Sequence, residues 1–229
     1  MSRRMSNKKN RALSRKQAKE VRAIAERLID EEIENKQYVE TLENQQLYHN
    51  KPIYVGKLLG IFGQGTQDGD TSTTSGTGTK TIRLGDEIQL RNINIRFWLS
   101  NKLDRPNVMY KGVLYWYPVG IPPSDTLIYK TQSNKMLDRY NDKNIKIIDT
   151  FLVKSTNNYA VDANNHEHSY LATLNKSYKS KKIVYDNNGL QPKGWDLGFG
   201  LVCYDAYGTL QTDNIASCAF NVQVTFQDA

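Results

Sequence analysis

The fold class is decided by residues 80–99, KTIRLGDEIQLRNINIRFWL. From residue 92 onward apolar and polar positions alternate, which is typical of a β-strand with one face in a core. The inward set is Ile93, Ile95, Phe97 and Leu99, and the outward set is Asn92, Asn94, Arg96 and Trp98. Upstream, Ile88 and Leu90 lie in the opposite phase. Because one extra residue shifts the register by one, the sequence predicts a β-bulge near Arg91.

Further segments with strand character surround this one. We predict eight strands, near 53–60, 86–99, 108–117, 144–153, 170–174, 182–186, 197–205 and 216–226. The chain before residue 51 is assigned only an arm and a helix, with no strand. Long polar loops join the strands, and no helices alternate with them. This pattern favours an all-β protein, a single eight-stranded jelly-roll sandwich with a basic arm and one amphipathic helix.

The predicted helix lies before the sandwich. Ser14 and Gln17 have the spacing of a capping box, and apolar residues follow at helical intervals from Ala18 to Ile33. We therefore predict three segments: residues 1–14 as a basic arm that is disordered without a partner, 15–35 as an amphipathic helix, and 36–229 as the jelly-roll domain. The apolar stripe of the helix must dock either on its own subunit or on another copy.

Positive charge is concentrated at the N-terminus. Residues 1–22 contain nine cations and one anion, whereas the remaining 207 residues contain 22 cations and 23 anions. The nine cations are Arg3, Arg4, Lys8, Lys9, Arg11, Arg15, Lys16, Lys19 and Arg22. A basic arm on a near-neutral body is typical of proteins that bind polyanions, and it favours nucleic acid over a merely solvated tail. The same segment is compatible with a nuclear-import signal.

No arrangement of residues points to catalysis or to a bound cofactor. His166 and His168 have no third ligand at a recognisable metal-site spacing, so an exposed polar loop is favoured there. The segment SGTGTKT lacks the adjacent Gly-Lys and the following helix of a phosphate loop. We therefore expect no catalytic residues, no metal site and no cofactor.

The cysteines and the hydropathy pattern bear on disulfide formation and on membrane insertion. Cys203 and Cys218 lie in apolar strand segments, where cysteine acts as a small hydrophobic residue, although a disulfide between neighbouring strands stays open. No window approaches about 18 consecutive apolar residues, so we expect no membrane insertion.

Several segments match a known family in order along the chain. A basic arm (Ser2–Lys19) is followed by the glycine-rich segment GQGTQDGD and then by RLGDEIQLRNINIRFWL. YKGVLYWYPVG, NIKIIDTFLVKS and the closing segment NVQVTFQDA come next. In this order the segments resemble the capsid proteins of circular Rep-encoding single-stranded DNA viruses, the circovirus-like group. The likeness covers most of residues 60–229.

The resemblance implies a jelly roll whose copies assemble into a small icosahedral shell, with the arm against a packaged single-stranded DNA genome. It also implies location in the virion and, during assembly, in the host nucleus, with an unknown host-cell receptor. The nine N-terminal cations would contact DNA first. The further contacts that it implies are Arg91, Arg96, Lys176, Lys179, Lys181 and Lys182. Trp98 or Tyr178 would add base stacking on an inward-facing surface.

Three other functions stay open on the residues alone. One is the jelly-roll capsid of an RNA virus, which the sequence barely separates from the capsid of a single-stranded DNA virus. Another is a ligand-binding, lectin-like sandwich with a basic targeting tail. The third is a sandwich-fold enzyme, for which the sequence shows no recognisable set of catalytic residues. Particle size separates the shell from the lectin, because a lectin would be a monomer or a small oligomer.

Overall fold

The computed structural model describes residues 14–32, 35–64, 80–102, 104–105, 107–154, 169–186, 189–205 and 210–228. The chain divides into two compact units, Met1–Glu34 and Asn35–Ala229. In the described part, the first unit contains the helix α1 (Arg15–Glu32). The second contains ten strands and a four-residue helix, α2 (Asp125–Ile128).

Helix α1 begins with the capping box that the sequence predicts. The Ser14 amide donates to Gln17 Oε1 at 3.1 Å, and the Gln17 amide donates to the Ser14 hydroxyl at 3.3 Å. These bonds satisfy backbone N–H groups that the start of a helix leaves unpaired. Val21 and Ile24, which belong to the apolar stripe, are 52% and 54% exposed. Asn35, which the sequence analysis places in the helix, is instead the first residue of a strand.

Eight strands form two four-stranded antiparallel sheets. In spatial order, sheet 1 consists of β1 (Asn35–Tyr48), β10 (Asn214–Asp228), β5 (Glu87–Asn101) and β8 (Ser169–Val184). Sheet 2 consists of β2 (Ile53–Val55), β9 (Trp195–Asp205), β6 (Val108–Pro118) and β7 (Lys146–Val153). The two remaining strands, β3 (Phe62–Gln64) and β4 (Lys80–Arg83), form a separate parallel pair.

The pairing of the eight sandwich strands is nested. Counted along the chain among themselves, the first pairs with the eighth, the second with the seventh, the third with the sixth and the fourth with the fifth. Nested antiparallel pairing across two packed sheets is the arrangement of a jelly roll, so the predicted fold class is confirmed.

The β-bulge predicted near Arg91 is present. Leu90 and Asn92 pair with Phe226 and Thr225, which are consecutive in β10, so Arg91 is the extra residue. Before the bulge the even-numbered residues 88 and 90 are buried, and after it the odd-numbered residues 93–99 are buried. One extra residue therefore lets both apolar sets of β5 face the same core.

Strand β1 lies where the sequence analysis assigns no strand, and that assignment is wrong. The strand sequence, NKQYVETLENQQLY, is mostly polar, and only Tyr38 and Leu47 are fully buried. Within sheet 1, β1 is an outermost strand that pairs with β10 alone. Backbone hydrogen bonds to one neighbour hold such an edge strand, so it needs little apolar alternation and leaves a weak sequence signal.

The predicted strands 170–174 and 182–186 are a single strand, β8. It pairs with β5 from Ser169 opposite Ser100 to Val184 opposite Glu87, with one shift of register between Ser177 and Lys181. The lysine-rich stretch within it conceals this continuity, and lysines are common on edge strands because they discourage further pairing. The predicted count of eight is approximate: the described residues contain ten strands, eight of them in the two sheets, and the missed β1 offsets this false division.

The core lies between the two sheets. Phe97 in sheet 1 meets Phe199 in sheet 2 edge-on, with ring centroids 5.4 Å apart, and Phe199 meets Phe220 at 5.0 Å. Cys203 and Cys218 are buried free thiols, which agrees with their predicted role as small hydrophobic residues. Burial raises the pKa of Cys218 to about 12 and that of Cys203 above the usual range for a thiol.

A buried carboxylate joins the segment after β2 to the start of β9. Asp196 is 2% exposed, and its Oδ1 accepts the amides of Leu59 at 3.1 Å and Leu197 at 2.7 Å. Burial raises the pKa of Asp196 from 3.8 to about 6, because the ionised form loses its hydration. These two amides lower that pKa, but burial outweighs them.

Candidate nucleic-acid interface

The predicted N-terminal cations divide between two parts of the chain. Arg3, Arg4, Lys8, Lys9 and Arg11 lie outside the described residues. The exposed cations Arg15, Lys16, Lys19 and Arg22 lie in the first half of α1. Cations near a helix N-terminus oppose the helix dipole by a few tenths of a kcal/mol each. Helix stability therefore does not explain this placement, whereas an anionic partner would favour it.

Arg91, at the bulge, is bound by neighbours within the sandwich. Its Nε donates to Gln227 Oε1 at 2.8 Å, its Nη2 donates to the same oxygen, and its Nη1 donates to the backbone oxygen of Lys179. Gln227 is buried, with 3% of its surface exposed. The guanidinium thus links β10 to β8 across β5, which is a structural role. Contact between Arg91 and nucleic acid stays a prediction.

Arg96 and Trp98 lie on the outer face of sheet 1. Arg96 is exposed and stands opposite Thr173 of β8. Trp98 is 58% exposed and stands opposite Leu171, which is 82% exposed. This pair of apolar side chains is an exposed patch on an otherwise polar face, and such patches commonly mark contact surfaces.

The four predicted lysines of β8 differ in their surroundings. Lys182 Nζ lies 2.6 Å from a carboxylate oxygen of Glu87 on β5, so its charge is balanced within the sheet. Lys176 and Lys179 are exposed, and among the described residues neither has a carboxylate within ion-pair distance. Lys181 is half-buried and contacts aromatic rings.

A cleft of about 430 Å³ lies beside β8 and combines lysines with tryptophans. Strands β6, β7, β8 and β9 and the turn before β9 all contribute to it. We call it the lysine–tryptophan cleft, and its lining residues are Trp116, Lys146, Lys181, Lys182, Ile183, Val184, Lys193 and Trp195. Of this set, only Lys181 and Lys182 are among the contacts predicted from the sequence.

The cations of the cleft lie close to its rings. Lys146 Nζ is 4.2 Å from the centroid of the Trp195 ring, and Lys181 Nζ is 4.9 Å from that of Trp116. Trp116 is 7% exposed, and its indole N–H donates to the Tyr178 hydroxyl at 3.2 Å. Burial raises the pKa of Tyr178, so its hydroxyl stays neutral at physiological pH. Ammonium groups in these positions are attracted by the ring faces.

No local pattern in the sequence predicts this cleft. Trp116 and Lys146 are paired residues of β6 and β7, and Trp195 pairs with Pro118 on the other side of β6. These residues lie tens of positions apart along the chain, and antiparallel pairing brings them together. Sequence reasoning missed Trp116, Lys146, Lys193 and Trp195 for this reason.

The described residues lack two further features. Neither of their two helices has both the length and the apolar content that crossing a bilayer demands. No group of three or more His, Cys, Asp or Glu side chains among them is placed to hold a metal ion. His166 and His168 lie outside the described residues.

Comparisons with known proteins add two structural likenesses. No protein-family model matches the chain, and no curated protein matches it. A solved structure of Desmodium yellow mottle tymovirus is 9% identical, with a TM-score of 0.35, over 86% of this chain and 88% of that chain. A structure of the IBDV viral particle is 11% identical, with a TM-score of 0.26, over 83% of this chain and 31% of that chain. With both TM-scores below 0.5, the fold assignment rests on strand pairing.

Proposed function

We propose that this protein is the subunit of a viral shell, which self-assembles into a small icosahedral particle and packages single-stranded DNA through its basic N-terminal segment. Residence in the virion and passage through the host nucleus are parts of the same proposal. DNA rather than RNA is proposed because the sequence resembles circovirus-like capsid proteins. The protein acts in this role as a structural component and not as an enzyme.

The observation that carries the proposal is the separation of charge from fold. Residues 1–22 have a net charge of +8, while residues 35–229, which contain the jelly-roll sandwich, have 21 cations and 18 anions and a net charge of only +3. A basic segment binds phosphates without regard to sequence and releases counterions as it does so. A near-neutral sandwich repels its own copies little, so copies can pack side by side. A ligand-binding sandwich has no need of such a segment.

Exposed apolar side chains on the sandwich support assembly. Besides Trp98 and Leu171 on sheet 1, Leu137 is 80% exposed and Leu210 is 71% exposed. Single exposed leucines are common on monomers, so the paired Trp98 and Leu171 carry the argument, because contact with a neighbouring subunit would remove that patch from water. A shell surrounds each subunit with neighbours and therefore offers partners for several separate patches.

The first experiment measures particle mass and cargo together. Size exclusion with light scattering, and with absorbance at two wavelengths, is applied to the full-length protein and to a variant lacking residues 1–22. We expect a megadalton particle that contains nucleic acid, and loss of that cargo in the shortened variant. Nuclease digestion of the extracted cargo distinguishes DNA from RNA. A small species that is free of nucleic acid at every salt concentration would refute the proposal and favour a lectin-like sandwich.

A second experiment tests the helix cations in the full-length chain. Binding of a fluorescent single-stranded oligonucleotide is measured by anisotropy over a range of salt concentrations. Because each phosphate contact on a single strand contributes about 0.7 to the logarithmic salt slope, Arg15→Gln/Lys19→Gln should reduce the slope by about 1.4. The matched control is Lys130→Gln/Lys143→Gln, which removes two exposed body cations and should leave the slope unchanged. Equal effects of both pairs would contradict a specific role for α1.

A further inference from the structure

We propose that the lysine–tryptophan cleft binds one nucleotide unit of a single-stranded nucleic acid, with the base against Trp195 and the phosphate between Lys146 and Lys181. This inference rests on the proposed function and adds to it a second contact site within the sandwich, formed by strands β6, β7, β8 and β9.

The aromatic part of the cleft is suited to a flat ring. Trp195 is half-buried, so its indole is fixed in place but keeps an accessible surface. Lys146 Nζ lies 4.2 Å from the Trp195 ring centroid, where a cation occupies the space that a base would take when stacking. A base moving onto this ring displaces the ammonium, which is then free to meet the phosphate of the same nucleotide. Every base has a π-face, so this recognition is independent of sequence.

The charges of the cleft are only partly balanced. Lys182 is paired with Glu87, and Lys193 Nζ lies 3.2 Å from Asp186. Within the described part of the chain, Lys146 and Lys181 have no carboxylate within ion-pair distance, and each ammonium lies instead over an aromatic ring. A cation–ring contact attracts the ammonium without neutralising it. The cleft therefore keeps an excess of positive charge next to its tryptophans.

The size and composition of the cleft favour a nucleotide over an acidic peptide. Its volume of about 430 Å³ lies within the range of about 300–1,000 Å³ that is usual for small-ligand sites. An acidic peptide would use the lysines, but it would leave the Trp195 ring face without a matching flat group. Phosphate and base together use both parts of the site.

The test uses the full-length protein and a short oligothymidylate that contains 5-iodouracil, a base that cross-links under light to an aromatic ring on which it stacks. The cross-linked peptides are identified by mass spectrometry, and the same measurement with an iodouracil RNA distinguishes DNA from RNA as the ligand. We expect a cross-link at Trp195. Trp195→Leu removes the ring on which the base stacks and should abolish the cross-link in the cleft.

Two further variants keep the test independent of folding. Lys146→Gln/Lys181→Gln keeps every aromatic ring and should also weaken the cross-link at Trp195. Lys130→Gln/Lys143→Gln removes two exposed cations outside the cleft and should leave that cross-link unchanged. A cross-link confined to Trp98 or to the N-terminal segment would overturn the inference. So would competition by oligoglutamate as strong as that by unlabelled oligothymidylate, because that result would assign the cleft to acidic peptides.

The cargo of the purified particle separates the two proposals. A particle that contains nucleic acid but gives no cross-link in the cleft would refute the nucleotide site and leave the proposed function standing. A protein that forms no particle and carries no nucleic acid would refute the proposed function itself.

Discussion

Replacing Arg91 with methionine tests whether this arginine stabilises the sandwich or binds nucleic acid. Arg91→Met keeps a long apolar stem but removes the guanidinium that links Gln227 of β10 to the Lys179 carbonyl of β8. Water can reach the Lys179 carbonyl, because that residue is exposed. The Gln227 side chain is 3% exposed, so its oxygen would lose charged donors that water replaces poorly.

The expected loss follows from these two sites. A hydrogen bond to a charged group contributes about 1.5–3 kcal/mol, and a buried acceptor left without its donor costs about 1–3 kcal/mol. Because one of the two acceptors becomes hydrated, we expect Arg91→Met to lower the free energy of unfolding by about 2 kcal/mol. For a domain of this size that corresponds to a fall in Tm of about 4–8 °C.

The matched control lies in the same strand. Arg96 is exposed on the outer face of sheet 1, so Arg96→Met should change stability by no more than about 0.5 kcal/mol. Urea unfolding of the dissociated subunit, followed by tryptophan fluorescence, measures both variants. The salt slope of oligonucleotide binding is measured in parallel. An Arg91→Met protein with unchanged stability and a smaller salt slope would refute the structural role and favour the predicted contact with DNA.

Three further predictions concern packing, ionisation and the helix start. A methyl group at Gly112 would lie 2.3 Å from Phe151 Cε1, so Gly112→Ala should lower the free energy of unfolding by about 1–3 kcal/mol in urea. If Gly112→Ala costs as much in a Phe151→Leu background as in the wild type, the clash with Phe151 is not the cause. Asp196 has a raised pKa of about 6, so its contribution to stability is complete below about pH 4 and is lost as the pH rises through 6. The difference in unfolding free energy between wild type and Asp196→Asn should therefore shift by about 3 kcal/mol across that interval. A difference that does not change with pH would rule out the raised pKa of Asp196. Ser14→Ala removes the cap of α1 and should lower the opening free energy of its first turn by about 1 kcal/mol, read by amide hydrogen exchange; unchanged exchange would count against the capping box.

The strongest local patterns in the sequence were sufficient for correct predictions. The change of phase around Arg91 located the bulge, because burying both Ile88 and Ile93 in one core requires one extra residue. The spacing of Ser14 and Gln17 predicted the capping box that starts α1. Each of these features depends on residues within a few positions of one another, where steric and hydrogen-bond rules act directly.

The misses fall on strands at the edges of sheet 1. β1 has two fully buried hydrophobic side chains in fourteen residues, and the middle of β8 is rich in lysine, so neither shows sustained alternation. Both strands gain their stability from backbone pairing with β10 and β5. Partner strands supply that pairing from distant parts of the chain, and the periodicity of a single segment does not record it.

The sequence by itself determined the class of fold and which side chains of each central strand face the core. It also determined the separation of a basic N-terminus from a near-neutral body. These properties follow from composition and from side-chain period. Only the tertiary structure decided the nested order of the strands, the bonds of Arg91 to two neighbouring strands, and the meeting of Trp195, Lys146 and Lys181 in one cleft. The physical reason is that antiparallel pairing joins residues by register across strands, and register depends on which distant segments share a core.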